Sequence, residues 1–261
     1  MKSCAARMSG RRSTASPAPV PDADACLFLD VDGTLLDYAL TPDDVGVDAE
    51  LIDLLGVTAQ RTQGALALVS GRTINDLDRL FAPLRLPAAG VHGFERRDAR
   101  GTLHRQTLAS KHLQSARAEL EQLVAAHAGL LLEDKQSALA LHYRRAPQLE
   151  ALVRHKLAQL QTSLLPDFEL LAGDAVLEIK PGSHSKASAV EAFLREAPFA
   201  GRLPIFLGDD VTDRDGFEAV CRHGGLAIAV GDRVSAKWRL PDPTAVRSWL
   251  RSFVERQELP P

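Results

Sequence analysis

Two aspartates, Asp30 and Asp32, follow directly on an apolar run at residues 26–29. Residues two apart in an extended chain point to the same side, so both carboxylates face one direction beyond a buried strand. Bringing two like charges together is costly unless a cation joins them. A calcium loop of the EF-hand type is excluded, because its required glycine and glutamate are replaced by Leu35 and Thr41. The spacing favours a metal-dependent reaction centre, with a helix cap or surface turn as the simpler alternative.

A second acidic group follows another apolar run, residues 204–207. In an open α/β sheet, ligand sites lie just outside the carboxyl ends of the strands, so both acidic groups are expected at one sheet edge. Carboxylates gathered in this way suit a hard divalent cation, and Mg²⁺ suits phosphate chemistry best. The sequence therefore predicts a Mg²⁺ site formed by Asp30, Asp32, Asp209, Asp210 and Asp213.

Three further polar residues suit a bound phosphoryl group. Ser70 and Arg72 follow the apolar run 65–69 and offer a hydroxyl and a guanidinium. Lys186 begins a predicted helix, where its ammonium can offset the carboxylates and bind the same group. The sequence contains no GxxxxGK[ST], HExxH, GxSxG or GxGxxG pattern. Together these residues favour chemistry on a phosphoryl group.

Alternating strands and helices position these groups. The apolar runs 26–29 and 65–69 flank a helical pattern over 48–60, and the C-terminal third repeats the succession of helix and strand. Such a succession is typical of a parallel sheet with right-handed crossovers. We therefore expect an α/β fold with a parallel-sheet core.

The middle of the chain has a different pattern. Residues 137–143 alternate, with Leu139, Leu141 and Tyr143 on one side, which is typical of a half-exposed strand. Helical patterns precede and follow this strand. We expect an inserted α+β domain at 100–179, a core in two parts at 25–99 and 180–261, and a disordered tail at 1–24.

The composition excludes several classes of protein. Hydrophobic residues make up 45% and charged residues 25% of the 261 residues, which is the balance of a globular protein. The net charge is −3, but the first 20 residues hold four basic side chains and no acid, so −7 falls on the remainder. This acidic body argues against nucleic acid as a partner. No stretch reaches the roughly 18 apolar residues of a membrane span, so no membrane partner is expected.

The cysteines indicate the cellular setting. Cys4, Cys26 and Cys221 fit neither a zinc spacing nor a disulfide scaffold, so we expect a reducing, cytoplasmic setting. Residues 1–24 lack the apolar run of a signal peptide, and a transit peptide is the alternative to a disordered tail. We expect the protein to be a monomer.

Four ordered motifs resemble those of the haloacid dehalogenase (HAD) phosphohydrolase superfamily. They are DVDGT at 30–34, SGR at 70–72, Lys186 and GDDVTD at 208–213. The resemblance implies a HAD-like Rossmannoid core, in which the inserted α+β domain acts as a cap that determines substrate specificity.

The same resemblance implies the catalytic roles. Asp30 attacks phosphorus and forms an aspartyl-phosphate, and Asp32 protonates the leaving alkoxide and then activates water. Ser70 and Lys186 bind the phosphoryl group. Mg²⁺ is held by Asp30, the backbone carbonyl of Asp32 and Asp209, with support from Asp213 and Asp210.

Finer signals are similar to signatures of the trehalose-6-phosphate phosphatase family within that superfamily. They are GVHGFERR at 90–97, EDK at 133–135, LHYR at 141–144, EIKP at 178–181 and GDDVTDRDGF at 208–217. The resemblance implies a sugar phosphate as the partner, since charged side chains hydrogen-bond sugar hydroxyls strongly. The substrate-binding residues expected on this basis are Gly33, Arg72, His92, Glu95, Lys135, His142, Arg144, Glu178 and Lys180.

Some of these assignments have a simpler alternative. His142 and Arg144 lie on the alternating strand and fit its solvated face equally well. Glu95, together with Arg96 and Arg97, fits a surface ion pair.

The expected activity is Mg²⁺-dependent hydrolysis of trehalose 6-phosphate to trehalose and phosphate. The enzymatic alternative is a HAD phosphatase for another sugar phosphate, such as sucrose 6-phosphate, and the non-enzymatic alternative is a sugar-phosphate sensor. Asp32 argues against dehalogenation, because a leaving alkoxide needs an acid and a halide does not. The intact Asp30, Lys186 and Asp209 argue against a sensor, which needs no nucleophile.

Overall fold

The structure divides the chain into two compact units. A computed structural model describes residues 16–20, 24–38, 45–105, 111–164 and 166–256. Unit 1 comprises Met1–His104 and Ser185–Pro261, and unit 2 comprises Arg105–His184. Unit 2 is a single continuous segment whose bounds lie five residues after those predicted for the inserted domain. Over the described part of the chain, no helix combines the length and apolar character that crossing a membrane requires.

The secondary structure elements follow in chain order. The strands are β1 (Ser16–Pro17), β2 (Ala25–Leu29), β3 (Leu66–Val69), β4 (Ala88–Gly90), β5 (Glu95–Arg97), β6 (Leu103–Arg105), β7 (Leu131–Asp134), β8 (Leu139–His142), β9 (Phe168–Gly173), β10 (Val176–Pro181), β11 (Leu203–Gly208), β12 (Leu226–Val230) and β13 (Trp238–Leu240). The α-helices are α1 (Ala49–Arg61), α2 (Ile74–Leu80), α3 (Lys111–Ala126), α4 (Glu150–Leu164), α5 (Lys186–Leu194), α6 (Arg214–Arg222) and α7 (Pro243–Arg256). Short 3₁₀ helices cover Val91–Gly93, Pro147–Leu149 and Val211–Asp213.

Unit 1 is built on a sheet with the strand order β1-β13-β12-β11-β2-β3-β4-β5-β6. Neighbouring strands from β1 to β4 run parallel, and β5 turns back antiparallel to β4. This arrangement confirms the predicted α/β fold with a central parallel sheet. The antiparallel edge was not predicted, because β5 consists of charged residues and lacks the apolar run of a buried strand.

Strand β2 contributes to two hydrophobic cores, one on each face of the sheet. Leu27 and Leu29 belong to a core that includes residues of α1, α2 and α7. Cys26 and Phe28 belong to a second core that includes residues of α5 and α6. Because both faces are covered by helices, every residue of β2 is buried, and the strand is a continuous apolar run.

Strand β1 corrects the predicted disordered tail over part of its length. It pairs in parallel with β13. The carbonyl of Pro19 accepts a hydrogen bond from the indole N–H of Trp249 at 3.1 Å. Val20 packs against the core that includes residues of α1, α2 and α7. A strand of two residues is too short to produce a periodic pattern in the sequence. The prediction of disorder for residues 1–24 therefore rested on the composition of that segment alone. Residues 1–15 and 21–23 of the predicted tail lie outside the described residues.

Unit 2 has an α+β architecture. Its antiparallel sheet has the strand order β7-β8-β10-β9, and residues of α3 and α4 share a core with one face of this sheet. On β10, Leu177 and Ile179 belong to that core. Glu178 and Lys180 alternate with them and lie on the opposite face. We call this opposite face the polar face of unit 2.

The predicted half-exposed strand at 137–143 is wrong in one respect, because Ala140 is buried as fully as Leu139 and Leu141. Ala140 lies opposite Glu133 of β7 and Glu178 of β10. The longer side chains of these two neighbours flank its methyl group, so a small residue on the polar face is covered. The predicted alternation is present, since Leu139 and Leu141 belong to the core.

The aromatic packing beneath the sheet can be tested with Phe28→Ala. The ring centroid of Phe28 lies 5.5 Å from that of Phe199 and 6.0 Å from that of Phe193. Removal of the ring leaves a cavity, so we expect urea denaturation to show a free energy of unfolding lower by about 3–5 kcal/mol. Val57→Ala, on the exposed side of α1, is the control and should change this value by less than about 0.5 kcal/mol. Equal losses in the two variants would contradict the packing.

Candidate active site

Adjacent strand ends bring the two acidic groups together. Asp30 follows β2 and Asp209 follows β11, and the two strands are parallel neighbours with Leu29 opposite Leu207. The N–H of Asp30 donates to the carbonyl of Leu207 at 3.0 Å, which continues the ladder by one residue. The carboxylates therefore leave the sheet at the same edge, as predicted for parallel strands.

Lys186 joins two of the carboxylates. Ser185 caps α5 by accepting a hydrogen bond from the N–H of Ser188, so Lys186 is the first residue of the helix. Its Nζ donates to Oδ1 of Asp30 and to Oδ1 of Asp213, both at 2.6 Å, and all three side chains are buried. Burial alone would lower the pKa of Lys186, but Asp213 and Asp30 raise it well above its ordinary value. The ammonium therefore stays charged between the two acids.

Asp213 organises the loop after β11. Its Oδ2 accepts hydrogen bonds from the N–H groups of Asp209 and Asp210, both at 3.0 Å. A Cβ on Gly208 would lie 2.3 Å from Cγ of Asp213, so only glycine allows this close approach. Asp210 instead uses Oδ1 to accept from the N–H of Val211 at 2.7 Å, which caps the following 3₁₀ helix. Its predicted support of the metal stays a prediction.

The carboxylate of Asp209 is held on both oxygens. Thr34 Oγ1 donates to Oδ1 at 3.3 Å, and the hydroxyl of Tyr38 donates to Oδ2 at 2.9 Å. Gly33 has a φ of +86°, and a Cβ there would lie 2.3 Å from Oδ2 of Asp209. The motif DVDGT contains Thr34, but sequence reasoning missed Tyr38, because no motif marks it.

The electrostatics of these acids fit a divalent cation. One carboxylate oxygen from each of Asp30, Asp209 and Asp213 lies within 4.8 Å of the other two. Burial raises the pKa of Asp30 well above its ordinary value and that of Asp209 to about 6, and the Asp213 carboxylate adds to both shifts. One ammonium against three carboxylates leaves an excess of two negative charges when all are ionised. Hard oxygen donors with this excess suit a cation of charge +2.

Arg72 orients a different acid of the first motif. Its Nε and Nη2 donate to the two oxygens of Asp32 at 2.8 and 2.7 Å, which is a bidentate ion pair. The backbone N–H of Arg72 donates to Oγ of the buried Ser70 at 3.1 Å. The structure thus brings Asp32, Ser70 and Arg72 together, and the contact between Arg72 and Asp32 was not predicted.

A strained turn after β4 contacts the loop that holds Ser70 and Arg72. Val91 and His92 have φ angles of +47° and +54°, which residues other than glycine seldom adopt. Their N–H groups donate to the carbonyls of Arg72 at 2.9 Å and Ser70 at 3.0 Å. A Cβ on Gly71 would lie 2.8 Å from Nε2 of His92, so the imidazole packs on this glycine. The turn therefore places His92 beside the predicted phosphate-binding residues.

Glu95, the first residue of β5, has a buried side chain that contacts the start of α2. Its Oε2 accepts a hydrogen bond from the N–H of Ile74 at 2.9 Å, so the surface position assumed for an ion pair is wrong. Arg96 pairs with Glu196, and Arg97 donates to a backbone carbonyl and to an aspartate. Glu95 thus satisfies a backbone donor of α2, and its contact with substrate stays a prediction.

Charged pairs line the polar face of unit 2. Lys135 Nζ donates to Oε2 of Glu178 at 3.0 Å, and both side chains are buried. His142 Nε2 lies 2.9 Å from Oε2 of Glu133. Burial raises the pKa of Glu133, but Lys135 and His142 outweigh it and leave this pKa below its ordinary value. Of the predicted substrate-binding residues, Lys135 and Glu178 therefore form an ion pair with each other, and His142 contacts a carboxylate.

The remaining two predicted residues of unit 2 bind both backbone and carboxylates. Lys180 Nζ donates to the carbonyl of His184 at 2.9 Å and pairs with Glu169. Arg144 Nη2 donates to the carbonyl and to Oδ2 of Asp174, both at 2.9 Å. Arg144 lies after the end of β8, so its predicted place on the strand is wrong.

Comparison with known proteins gives a consistent result. Residues 28–244 match the family described as trehalose-phosphatase, and this range includes all the predicted catalytic and metal-binding residues. The chain is 44% identical over 233 residues to the trehalose-6-phosphate phosphatase of Escherichia coli (strain K12), which covers 89% of this chain and 87% of that protein. It is 43% identical over 224 residues to a Sinorhizobium fredii protein named "Probable trehalose-phosphate phosphatase", with coverages of 85% and 84%.

Solved structures share the fold. The C-terminal domain of the C. albicans trehalose-6-phosphate phosphatase has a TM-score of 0.79 at 20% identity and covers 89% of this chain and 93% of that chain. A phosphatase of the HAD superfamily from Bacteroides thetaiotaomicron has a TM-score of 0.56 at 15% identity, with coverages of 95% and 99%. At these identities the likeness shows the fold alone, and it confirms the predicted HAD-like core.

The ion pairs of Lys186 can be tested with Lys186→Met. Asp30 and Asp213 would remain buried without their ammonium, so we expect a loss of about 3–5 kcal/mol in the free energy of unfolding at pH 7.5 in EDTA. Lys186 lowers the pKa of Asp30, so its removal raises that pKa further above the unfolded value. The folded variant then binds more protons than the unfolded chain, and its stability rises as the pH falls.

We therefore expect the loss caused by Lys186→Met to be smaller at pH 5.5 than at pH 7.5, as measured by urea denaturation. Lys111→Met, at an exposed position of α3, is the control and should show no such difference. A loss of equal size at both pH values would contradict the electrostatic account.

Proposed function

The chain belongs to the trehalose-phosphatase family, and on that premise we infer that it hydrolyses trehalose 6-phosphate to trehalose and inorganic phosphate. It is a phosphoric monoester hydrolase, as the sequence motifs predicted. The observation that carries this function is the buried cluster of Asp30, Asp209 and Asp213 with Lys186, in a chain 44% identical to the E. coli phosphatase.

We propose that Mg²⁺ is held by Asp30 and Asp209, together with the backbone carbonyl of Asp32. Asp30 uses Oδ1 to accept from Lys186, and one of its carboxylate oxygens lies within 4.8 Å of a carboxylate oxygen of Asp209. Among the described residues, Asp213 accepts three hydrogen bonds, two of them on Oδ2, whereas Asp209 accepts two, which supports an orienting role for Asp213 and leaves more free lone pairs on Asp209. When bound, the cation would reduce the repulsion between the carboxylates and an anionic phosphoryl group.

Asp30 is the proposed nucleophile. One of its carboxylate oxygens attacks the phosphorus while the bond between phosphorus and the sugar oxygen breaks, which forms an aspartyl-phosphate. Asp32 gives its proton to the leaving sugar oxygen, so trehalose departs as a neutral alcohol. The ammonium of Lys186 beside Asp30 supports this step, because it can donate to the phosphoryl oxygens.

Hydrolysis of the aspartyl-phosphate completes the proposed reaction. Asp32, now a carboxylate, takes a proton from a water molecule whose oxygen attacks the phosphorus. The bond between phosphorus and Asp30 breaks, which releases inorganic phosphate and restores the carboxylate. The bidentate pair with Arg72 supports this role of Asp32, since two hydrogen bonds fix the direction of its carboxylate.

We further propose that the remaining predicted residues bind the substrate. Ser70 offers a hydroxyl to the phosphoryl group from the loop that also holds Arg72. The buried charges of Lys135, Glu178 and Lys180 support contacts with sugar hydroxyls, because a charged partner forms a stronger hydrogen bond than a neutral one. The other residues of this proposal are Gly33, His92, Glu95, His142 and Arg144.

The cellular setting is part of the proposal. The wide spacing of the three cysteines supports a reducing, cytoplasmic location. A monomeric state stays a prediction from the sequence.

The nucleophile can be tested with Asp30→Asn. Because the amide cannot form the acyl-phosphate, we expect kcat for trehalose 6-phosphate to fall by about 10³-fold or more, measured as released phosphate with Mg²⁺. Asp32→Asn should lower kcat by about 10²–10⁴-fold. Asp53→Asn, at an exposed position of α1, is the control and should retain activity. Substantial turnover by a folded Asp30→Asn protein would show that another group attacks phosphorus.

The sugar specificity can be tested with a panel of phosphate esters. We expect kcat/KM for trehalose 6-phosphate to exceed that for sucrose 6-phosphate by at least about tenfold, the effect of one net hydrogen bond. Glu178→Gln should reduce this ratio while leaving hydrolysis of p-nitrophenyl phosphate, which lacks sugar hydroxyls, unchanged. Equal rates for both sugars would refute the substrate assignment. Tight binding without phosphate release would instead support a sensor.

A further inference from the structure

Tyr38 makes a contact that the reaction outlined above does not use. Its hydroxyl donates to Oδ2 of Asp209 at 2.9 Å, across 171 residues of sequence. Tyr38 follows the first motif at the end of β2, whereas Asp209 follows β11. The phenol of Tyr38 is thus hydrogen-bonded to a carboxylate that we propose as a ligand of the cation.

This hydrogen bond fixes the orientation of Asp209 and leaves room for a cation. Thr34 Oγ1 donates to the other oxygen, Oδ1, at 3.3 Å, so the carboxylate plane is held at both ends. An ionised carboxylate has about four lone-pair positions, so each oxygen keeps one for another partner. A ligand that is already oriented loses less entropy when it binds. Both donors should therefore favour binding of a cation at Asp209.

The position of the phenol is set by its neighbours. A Cβ on Gly33 would lie 2.5 Å from Cε2 of Tyr38 and 2.3 Å from Oδ2 of Asp209, so the three residues are in close contact. The guanidinium of Arg233 lies 4.5 Å from the centroid of the Tyr38 ring, in cation–π contact. Tyr38 as a whole is 37% exposed, so loss of its hydroxyl should not disrupt the core.

We propose that Tyr38 is a positioning residue for the divalent cation, because its hydroxyl holds Asp209 in the orientation that binding requires and Arg233 holds the ring. The inference rests on the proposed function only for the presence of a cation at Asp209. Hydrogen-bond partners of metal ligands commonly change metal affinity by about 10–100-fold when they are removed.

The experiment measures Mn²⁺ binding in the absence of substrate, from the electron paramagnetic resonance signal of free Mn²⁺. We compare the wild-type protein, Tyr38→Phe, which keeps the ring and loses only the hydroxyl, and Tyr143→Phe as the matched control in unit 2. We expect Tyr38→Phe to raise the Kd for Mn²⁺ by about tenfold or more, and Tyr143→Phe to leave it unchanged. An unchanged or lower Kd in Tyr38→Phe would overturn the proposal, since a lower value means that the hydroxyl competes with the cation.

Two further measurements, of activity at different Mg²⁺ concentrations and of Tm, separate positioning from a general structural role. The activity that Tyr38→Phe loses at limiting Mg²⁺ should be regained at saturating Mg²⁺. A general structural role would instead lower the Tm of the variant and leave its Kd for Mn²⁺ unchanged. Should Tyr38→Phe fail to fold, Arg233→Ala decides, because weaker Mn²⁺ binding supports the proposal and unchanged binding overturns it. Failure of the wild type to hydrolyse trehalose 6-phosphate would refute the proposed function alone, since Mn²⁺ binding is measured without substrate.

Discussion

Lys186 holds two buried carboxylates with one ammonium, at the point where three distant parts of the chain meet. Asp30 comes from the end of β2, Asp213 from the 3₁₀ helix after β11, and Lys186 itself from the first turn of α5. Because a buried charge is costly without its partner, these ion pairs fix where α5 lies against the sheet. Phe193 of α5 packs against Phe28 of β2 in the core below. The same contacts therefore determine both the stability of unit 1 and the arrangement of its reactive groups.

The sequence allowed prediction of those parts of unit 1 in which a buried strand ends in polar residues. A continuous apolar run must be covered on both faces, and parallel strands end at one edge, so the meeting of Asp30 and Asp209 followed from the pattern. The roles of individual oxygen atoms did not follow. Asp213 uses both oxygens for hydrogen bonds, and Asp32 pairs with Arg72, because of side-chain distances that no spacing rule provides.

Elements without periodicity were harder to predict. The charged strand β5 and the short strands β1 and β13 carry no apolar run, and their strand character depends on neighbours far away in sequence. Tyr38 was missed for the same reason, since its role arises from a contact with Asp209. In unit 2 the alternation of β8 was visible, but the burial of Ala140 depends on the glutamates of two adjacent strands.

The short strand β1 also determines which backbone groups the sheet presents at one of its edges. A parallel sheet ends in a row of unpaired N–H and C=O groups, which invites strands from other molecules to add on. Here β1 occupies that edge beside β13, and it is only two residues long and ends in Pro17, which has no N–H to donate. A shortened chain that began at Ala25 would expose β13 as the new edge. With β1 in place, the strand at this edge of the sheet is a two-residue segment that ends in proline and offers few free backbone groups to an added strand.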